Sequence, residues 1–195
     1  NQGRHLCRIQ LSIPGEHNIL NALAAFACCH SLGVEVAVIK ETLENYHGTQ
    51  RRFDIVGTTE KGVKIVDDYA HHPTEIKATL TACQNIPHNK LWCLFQPHTY
   101  TRTMALFDEF AGAFEKADVL VLAEIYAARE KNIYKISSQQ LAESIKKAYP
   151  DKEVIFMDDF HKIADHVCKN AQSGDLVLTM GAGDIYKVGE MILEN

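Results

Sequence analysis

From residue 63 onward the chain alternates short, unbroken apolar runs with amphipathic segments of helical spacing. That pattern constrains the fold more than any other feature. Val119-Leu120-Val121-Leu122 and Leu176-Val177-Leu178 carry no polar position at every second residue. Such strands are expected to be covered on both faces, as in a parallel sheet. The spacing predicts strands over 63–67, 91–95, 119–123, 154–157 and 176–179. Helices are predicted between and after them, over 73–84, 102–116, 137–148, 160–171 and 185–193. Pro73 suits a first helical position, and Ser137 with Gln140 has capping-box spacing. A further strand over 53–58 joins 63–67 through Glu60-Lys61-Gly62, a hairpin turn. Repeated β-α units imply right-handed crossovers, hence an α/β, Rossmann-like, mostly parallel sheet with helices on both faces.

The first 47 residues read differently. Cys7, Ile9, Leu11 and Ile13 alternate with polar residues and predict a half-buried strand ended by Pro14-Gly15. Helical spacing follows over 18–31, with Gly33 as a stop, and again over 36–46. His47-Gly48-Thr49 reads as a linker, which divides the chain into 1–47 and 48–195. Asn1-Gln2-Gly3-Arg4 has neither initiator Met nor apolar signal region and is read as the cut edge of a longer chain.

Composition removes several function classes. A formal net charge of −5 argues against a nucleic-acid partner, and no apolar run is long enough to span a membrane. None of the six cysteines forms a Cys-x-x-Cys pair, so they are expected to be reduced and mostly packed as small hydrophobes. Cys28-Cys29-His30 does not make a zinc site, because adjacent helical positions point apart and four ligands must converge. No metal-ligand set is read from this chain. It also lacks a Gly-x-x-x-x-Gly-Lys-Ser/Thr phosphate loop and a Gly-x-Ser-x-Gly nucleophile elbow.

Ligands of open parallel sheets bind beyond the carboxyl ends of the strands. In this chain those ends collect polar, titratable and cationic residues: Asp67-Asp68-Tyr69-Ala70-His71-His72, Gln96-Pro97-His98-Thr99-Tyr100-Thr101-Arg102, Glu124-Ile125-Tyr126 and Gly181-Ala182-Gly183-Asp184. Each has an ordinary reading as well. The two aspartates could form a solvated turn, or hold ribose hydroxyls or a cation. The two histidines could simply precede a helix. Arg102 could be a surface residue, or an anion ligand near a helix start. Gly181-Ala182-Gly183 resembles the opening of a dinucleotide fingerprint, but Tyr186 stands where the third glycine belongs.

Taken together, the motifs resemble the Mur ligase family, and within it the enzymes that join L-alanine to UDP-N-acetylmuramate. Pro14-Gly15-Glu16-His17-Asn18-Ile19-Leu20-Asn21-Ala22 resembles the end of the family's central domain, and Gln50-Arg51-Arg52-Phe53-Asp54 the start of its carboxy-terminal domain. The runs 67–75, 95–103, 124–130 and 181–185 match in order and spacing. The resemblance implies that 1–47 is the tail of an ATP-binding α/β domain and that 48–195 is the amino-acid-binding domain that closes over ATP. It implies ATP and magnesium as cofactors, with the phosphate loop and most magnesium ligands upstream of this chain. Its substrates would be UDP-N-acetylmuramate and L-alanine, joined through an acyl phosphate in a bacterial cytoplasm.

Residue by residue, the resemblance places His17, Asn18 and Asn21 near adenine, Arg52 at the ATP phosphates and Asp68 at the ribose. Tyr69, His71, His98 and Arg102 fall around the muramoyl-alanine end, where Arg102 would pair with the alanine carboxylate. Arg52 and His71 are the candidate catalytic residues. Some relatives carry Arg at the position of Thr99; here that cation is missing, and more of the work falls on Arg102. Three other readings compete: a sister ligase that recycles murein tripeptide, a non-catalytic nucleotide- or amino-acid-binding module, and a dehydrogenase-like Rossmann domain. The 96–103 run favours the alanine enzyme over the first.

Overall fold

The computed structural model describes residues 3, 5–13 and 15–195. Asn1, Gln2, Arg4 and Pro14, the residue expected to end the first strand, lie outside the described residues. The chain forms two compact units, Asn1–Thr49 and Gln50–Asn195.

In the smaller unit, α1 (Glu16–Ser31) and α2 (Val36–Glu44) are the regular elements. The strand expected before them does not form. Cys7, Ile9, Leu11 and Ile13 are half-buried and Arg8, Gln10 and Ser12 exposed, so the alternation is real. A strand also needs a neighbour to take its backbone groups. Among the described residues none pairs with this segment. Glu44 at the end of α2 serves instead: its carboxylate accepts from the Gln10 amide (3.1 Å) and its carbonyl from the Ser12 hydroxyl (2.8 Å).

The larger unit is built on six strands: β1 (Asp54–Thr58), β2 (Lys64–Asp68), β3 (Leu91–Phe95), β4 (Val119–Leu122), β5 (Glu153–Phe156) and β6 (Leu176–Met180). Their order in the sheet is β1-β2-β6-β3-β4-β5. The β1–β2 pair is the predicted antiparallel hairpin, and all other pairs are parallel. The chain steps across the sheet from β2 to β5 and then returns to insert β6 between β2 and β3. The loops after β2, β6 and β3 therefore end up side by side.

Successive residues of the inner strands feed two separate cores, as period-2 geometry requires. On one face Val66, Cys93, Phe95, Leu120, Leu122 and Leu178 meet α3 (Pro73–Cys83), α5 (Phe107–Ala111) and α6 (Ser138–Ala148). On the other, Ile65, Trp92, Leu94, Val121 and Val177 meet α7 (Phe160–Asn170) and α8 (Tyr186–Glu194).

One predicted helix is broken. The 102–116 segment is α4 (Tyr100–Ala105) and then α5, separated by Leu106 at φ −114°. Gly112 ends α5, and Phe114 turns in to lie 5.1 Å from Phe95, ring to ring. Burying Phe110 and Phe114 against one strand residue outweighs the continuity of the helix. Among the described residues no helix is long and apolar enough to cross a membrane.

Candidate functional site

Asp67 and Asp68 end β2, which lies between β1 and β6, and both are buried. Asp68 uses its carboxylate on backbone: one oxygen accepts from the Ala70 amide (2.7 Å), the other from the Phe53 amide (2.8 Å). Asp67 accepts from the Thr179 hydroxyl (2.6 Å) and from Arg51 Nε (3.1 Å). Burial raises the affinity of both carboxyls for a proton, against the opposing pull of these donors.

The next turn leads into α3. His72 caps that helix, its Nδ1 accepting from the Thr74 amide (3.2 Å), while Glu75 accepts from the amides of His71 (3.0 Å) and His72 (3.1 Å). Burial works to raise the Glu75 pKa, but these amides and nearby His71 bring it below the usual value. His71 is left with a defined ring. Its Nδ1 lies 2.9 Å from the Tyr69 carbonyl and 3.4 Å from Glu75 Oε2, both acceptors. Nδ1 is therefore the nitrogen that donates to them.

Beyond β3, Thr99 takes a left-handed φ of 68° and caps α4 through Arg102 N (3.4 Å). His98 Nδ1 faces Arg102 Nη1 at 3.4 Å; because guanidinium only donates, this nitrogen accepts. Burial, then the charges of Arg102 and His71, hold His98 below its ordinary pKa, so the ring is neutral at pH 7.

The pieces form a continuous row. Arg52 sits over the Tyr69 ring (5.3 Å), Tyr69 edges onto His71 (5.4 Å), His71 onto His98 (6.0 Å), and His98 stacks on Tyr126 (5.5 Å). Arg102 closes the far end. Imidazoles are thus flanked by two guanidiniums, and neither guanidinium is in a salt bridge among the described residues. Such a row can hold an anion at each end and accept a proton between them.

The structure brings together Arg52, Asp68, Tyr69, His71, His98 and Arg102. His17, Asn18 and Asn21 lie in the other compact unit, in the first turns of α1, with Asn21 Nδ2 3.4 Å from Asn18 Oδ1.

Sequence reasoning did not single out Arg51, Glu75, Gln96 or Tyr126. Gln96 ties three loops together: Nε2 donates to the Glu124 carbonyl (3.2 Å), and Oε1 accepts from the Asp184 amide (2.8 Å). Gly181 and Gly183 pack against it. A Cβ at Gly181 would come within 2.6 Å of the Gln96 carbonyl, and one at Gly183 would collide with Gln96 Oε1 and Tyr126. Glu75 carried a readable signal, since it stands three residues after His72 at capping-box spacing.

Fold and site together define an α/β domain that presents cations and imidazoles at its strand ends. The profile of the family described as Mur ligase, glutamate ligase domain, matches residues 51–183. The chain is 50% identical over 190 residues to the UDP-N-acetylmuramate–L-alanine ligase of Acetivibrio thermocellus, covering 97% of this chain and 40% of the relative. It is 52% identical over 186 residues to the ligase of the same name from Lachnospira eligens, covering 95% and 40%. Among solved structures, UDP-N-acetylmuramate–alanine ligase from Thermotoga maritima superposes with a TM-score of 0.81 at 30% identity, over 98% of this chain and 40% of that one. A murein peptide ligase from Psychrobacter arcticus gives 0.71 at 26%, over 95% and 38%. This chain belongs to the Mur ligase family, and it spans about 40% of the length of the relatives it matches.

Proposed function

We propose that this chain is the carboxy-terminal part of a bacterial, cytoplasmic, ATP-dependent ligase that joins L-alanine to UDP-N-acetylmuramate in peptidoglycan precursor synthesis. The observation that carries the reading is the row from Arg52 to Arg102, set in a chain about half identical to ligases of that name. In this reading residues 1–47 belong to the end of the ATP-binding domain and 48–195 form the amino-acid-binding domain.

The roles follow from the chemistry each group offers. ATP phosphorylates the muramate carboxylate, the amine of alanine attacks the acyl phosphate, and phosphate leaves as the amide forms. Arg52, exposed and in no salt bridge among the described residues, reaches the ATP phosphates. Arg102 pairs with the alanine carboxylate without help from residue 99, which is Thr. His71, its Nδ1 engaged by the Tyr69 carbonyl, presents Nε2 to the amine of alanine, with Tyr69 and neutral His98 beside it. Asp68 orders the loop that meets the ribose, and His17, Asn18 and Asn21 serve the adenine. Magnesium bound with ATP would offset phosphate charge, held mainly by residues outside this chain.

The test is phosphate release by the full-length protein with ATP, magnesium and UDP-N-acetylmuramate, comparing L-alanine with murein tripeptide as acceptor. Release that depends on L-alanine is the expected result. Release with the tripeptide alone would assign the protein to the recycling ligases; the murein peptide ligase from Psychrobacter arcticus superposes less well than the alanine ligase from Thermotoga maritima. No release with either would leave a binding module.

A further inference from the structure

The residue before Arg52 is bound on every side. Arg51 Nε lies 3.1 Å from Asp67 Oδ2, and Nη2 donates to the Gly181 carbonyl at 2.7 Å. Its guanidinium lies between two rings, 5.0 Å from the centroid of Tyr69 and 4.5 Å from that of Tyr186. The Arg51 carbonyl accepts from the Tyr69 amide at 2.7 Å. On the other side of Arg52, the Phe53 amide is held by Asp68.

Backbone geometry agrees with this clamp. Arg51 has φ 61° and Phe53 φ 53°, both in the left-handed region that side chains other than glycine avoid. A non-glycine pair held there persists because the surroundings fix it. The single residue between them is Arg52, whose guanidinium makes no hydrogen bond or salt bridge among the described residues; it lies over the Tyr69 ring and feels the charges of Asp68 and Glu75. The two arginines divide their work: one is consumed by the fold and the other is held out.

We propose that Arg51 is a positioning residue for the phosphate step. It pins the loop before β1 to the ends of β2 and β6, and so fixes where Arg52 meets phosphate. This rests on the phosphate role proposed for Arg52 above. A guanidinium suits the pin because its planar fork donates to two acceptors while its carbon lies over two aromatic rings, which an ammonium cannot match.

A double-mutant cycle in the full-length protein separates positioning from general support. Phosphate release would be measured for Arg51→Ala, Arg51→Lys, Arg52→Ala and Arg51→Ala/Arg52→Ala, each with its melting temperature. Misplacing a catalytic cation by about 1 Å costs on the order of 10- to 100-fold. Arg51→Ala is therefore expected to lower kcat by about that factor, with KM for L-alanine little changed, and Arg51→Lys to recover only part. In the Arg52→Ala background, removing Arg51 should cost no more than about twofold further, because its effect passes through Arg52. Should Arg51→Ala melt below the assay temperature, Arg51→Lys, which keeps a positive charge beside Asp67, takes its place in the cycle. Fully multiplicative losses would overturn the pin while leaving Arg52 in its role. Wild-type turnover in Arg52→Ala would overturn that role and the pin together.

Discussion

Asp68→Ala should destabilise the larger unit, because the Asp68 carboxylate holds two backbone segments together. Its side chain is 7% exposed and satisfies two amides, those of Phe53 and Ala70. Truncation leaves both amides without a partner. Hydrogen bonds to a charged group contribute about 1.5–3 kcal/mol each, so the gross loss is roughly 3–6 kcal/mol. Against this stands the cost of burying the carboxylate, visible as the raised pKa that desolvation causes. The net is about 3 kcal/mol. For a domain of this size, each kcal/mol lowers the melting midpoint by about 2–4 °C, giving a fall of about 6–12 °C. Asp68→Asn keeps one acceptor oxygen and should lose about half as much.

The assay is thermal or urea unfolding followed by fluorescence of Trp92. It is the sole tryptophan, and it lies in β3 of the larger unit, so the signal comes from the part of the molecule that Asp68 holds. A midpoint for Asp68→Ala equal to that of wild type would refute the argument, because the two amides would then be satisfied without the carboxylate.

Three further outcomes are expected. Phe110→Ala opens a cavity beneath Phe95 at a fully buried position and should cost about 3–5 kcal/mol with an unchanged urea m-value. Ser137→Ala removes the α6 cap, whose hydroxyl accepts from the Gln140 amide, and should cost about 1 kcal/mol in the same unfolding assay. The third concerns His98, held below its ordinary 6.5 by burial and then by Arg102 and His71. The unfolded chain takes up this proton more readily than the folded one, so the stability due to neutral His98 is complete above pH 6.5 and is lost as pH falls through the folded value. His98→Gln should flatten the decline in melting temperature below pH 6.5, as read from melting curves across that range.

Much of this was legible in the sequence because the signals were local. Unbroken apolar runs mark strands covered on both faces, and those strands carry Asp67, Asp68, His98 and the glycine turn to one edge. The Ser137–Gln140 box was readable because serine is a common N-cap. The His72–Glu75 box was missed because histidine is not, although its ring nitrogen accepts the same kind of bond. The expected first strand and the expected continuous helix over 102–116 failed for one reason. Both depended on partners distant in sequence: a neighbouring strand in the first case, and the Phe95 ring that draws in Phe110 and Phe114 in the second. Only the family resemblance separated Arg52 from Arg51; the local pattern could not, since which of two adjacent arginines turns inward depends on φ 61° at the first and on acceptors 16 and 130 residues away.

The same accounting explains how an acidic chain can keep guanidiniums available at one edge of its sheet. The carboxylates at the sheet edge are each engaged by the protein: Asp67 by Thr179 and Arg51, Asp68 and Glu75 by backbone amides, Glu124 by the amide of Ile125, Glu130 by that of Thr101, and Asp184 by Lys187. Arg51 is spent with them. Among the described residues Arg52 and Arg102 stay out of salt bridges, at the two ends of the imidazole row. The formal charge of −5 counts all of these groups alike. Hydrogen bonds leave each carboxylate its charge but commit its lone pairs to the protein, so an anion reaching this edge would meet guanidinium donors that no carboxylate has taken among the described residues.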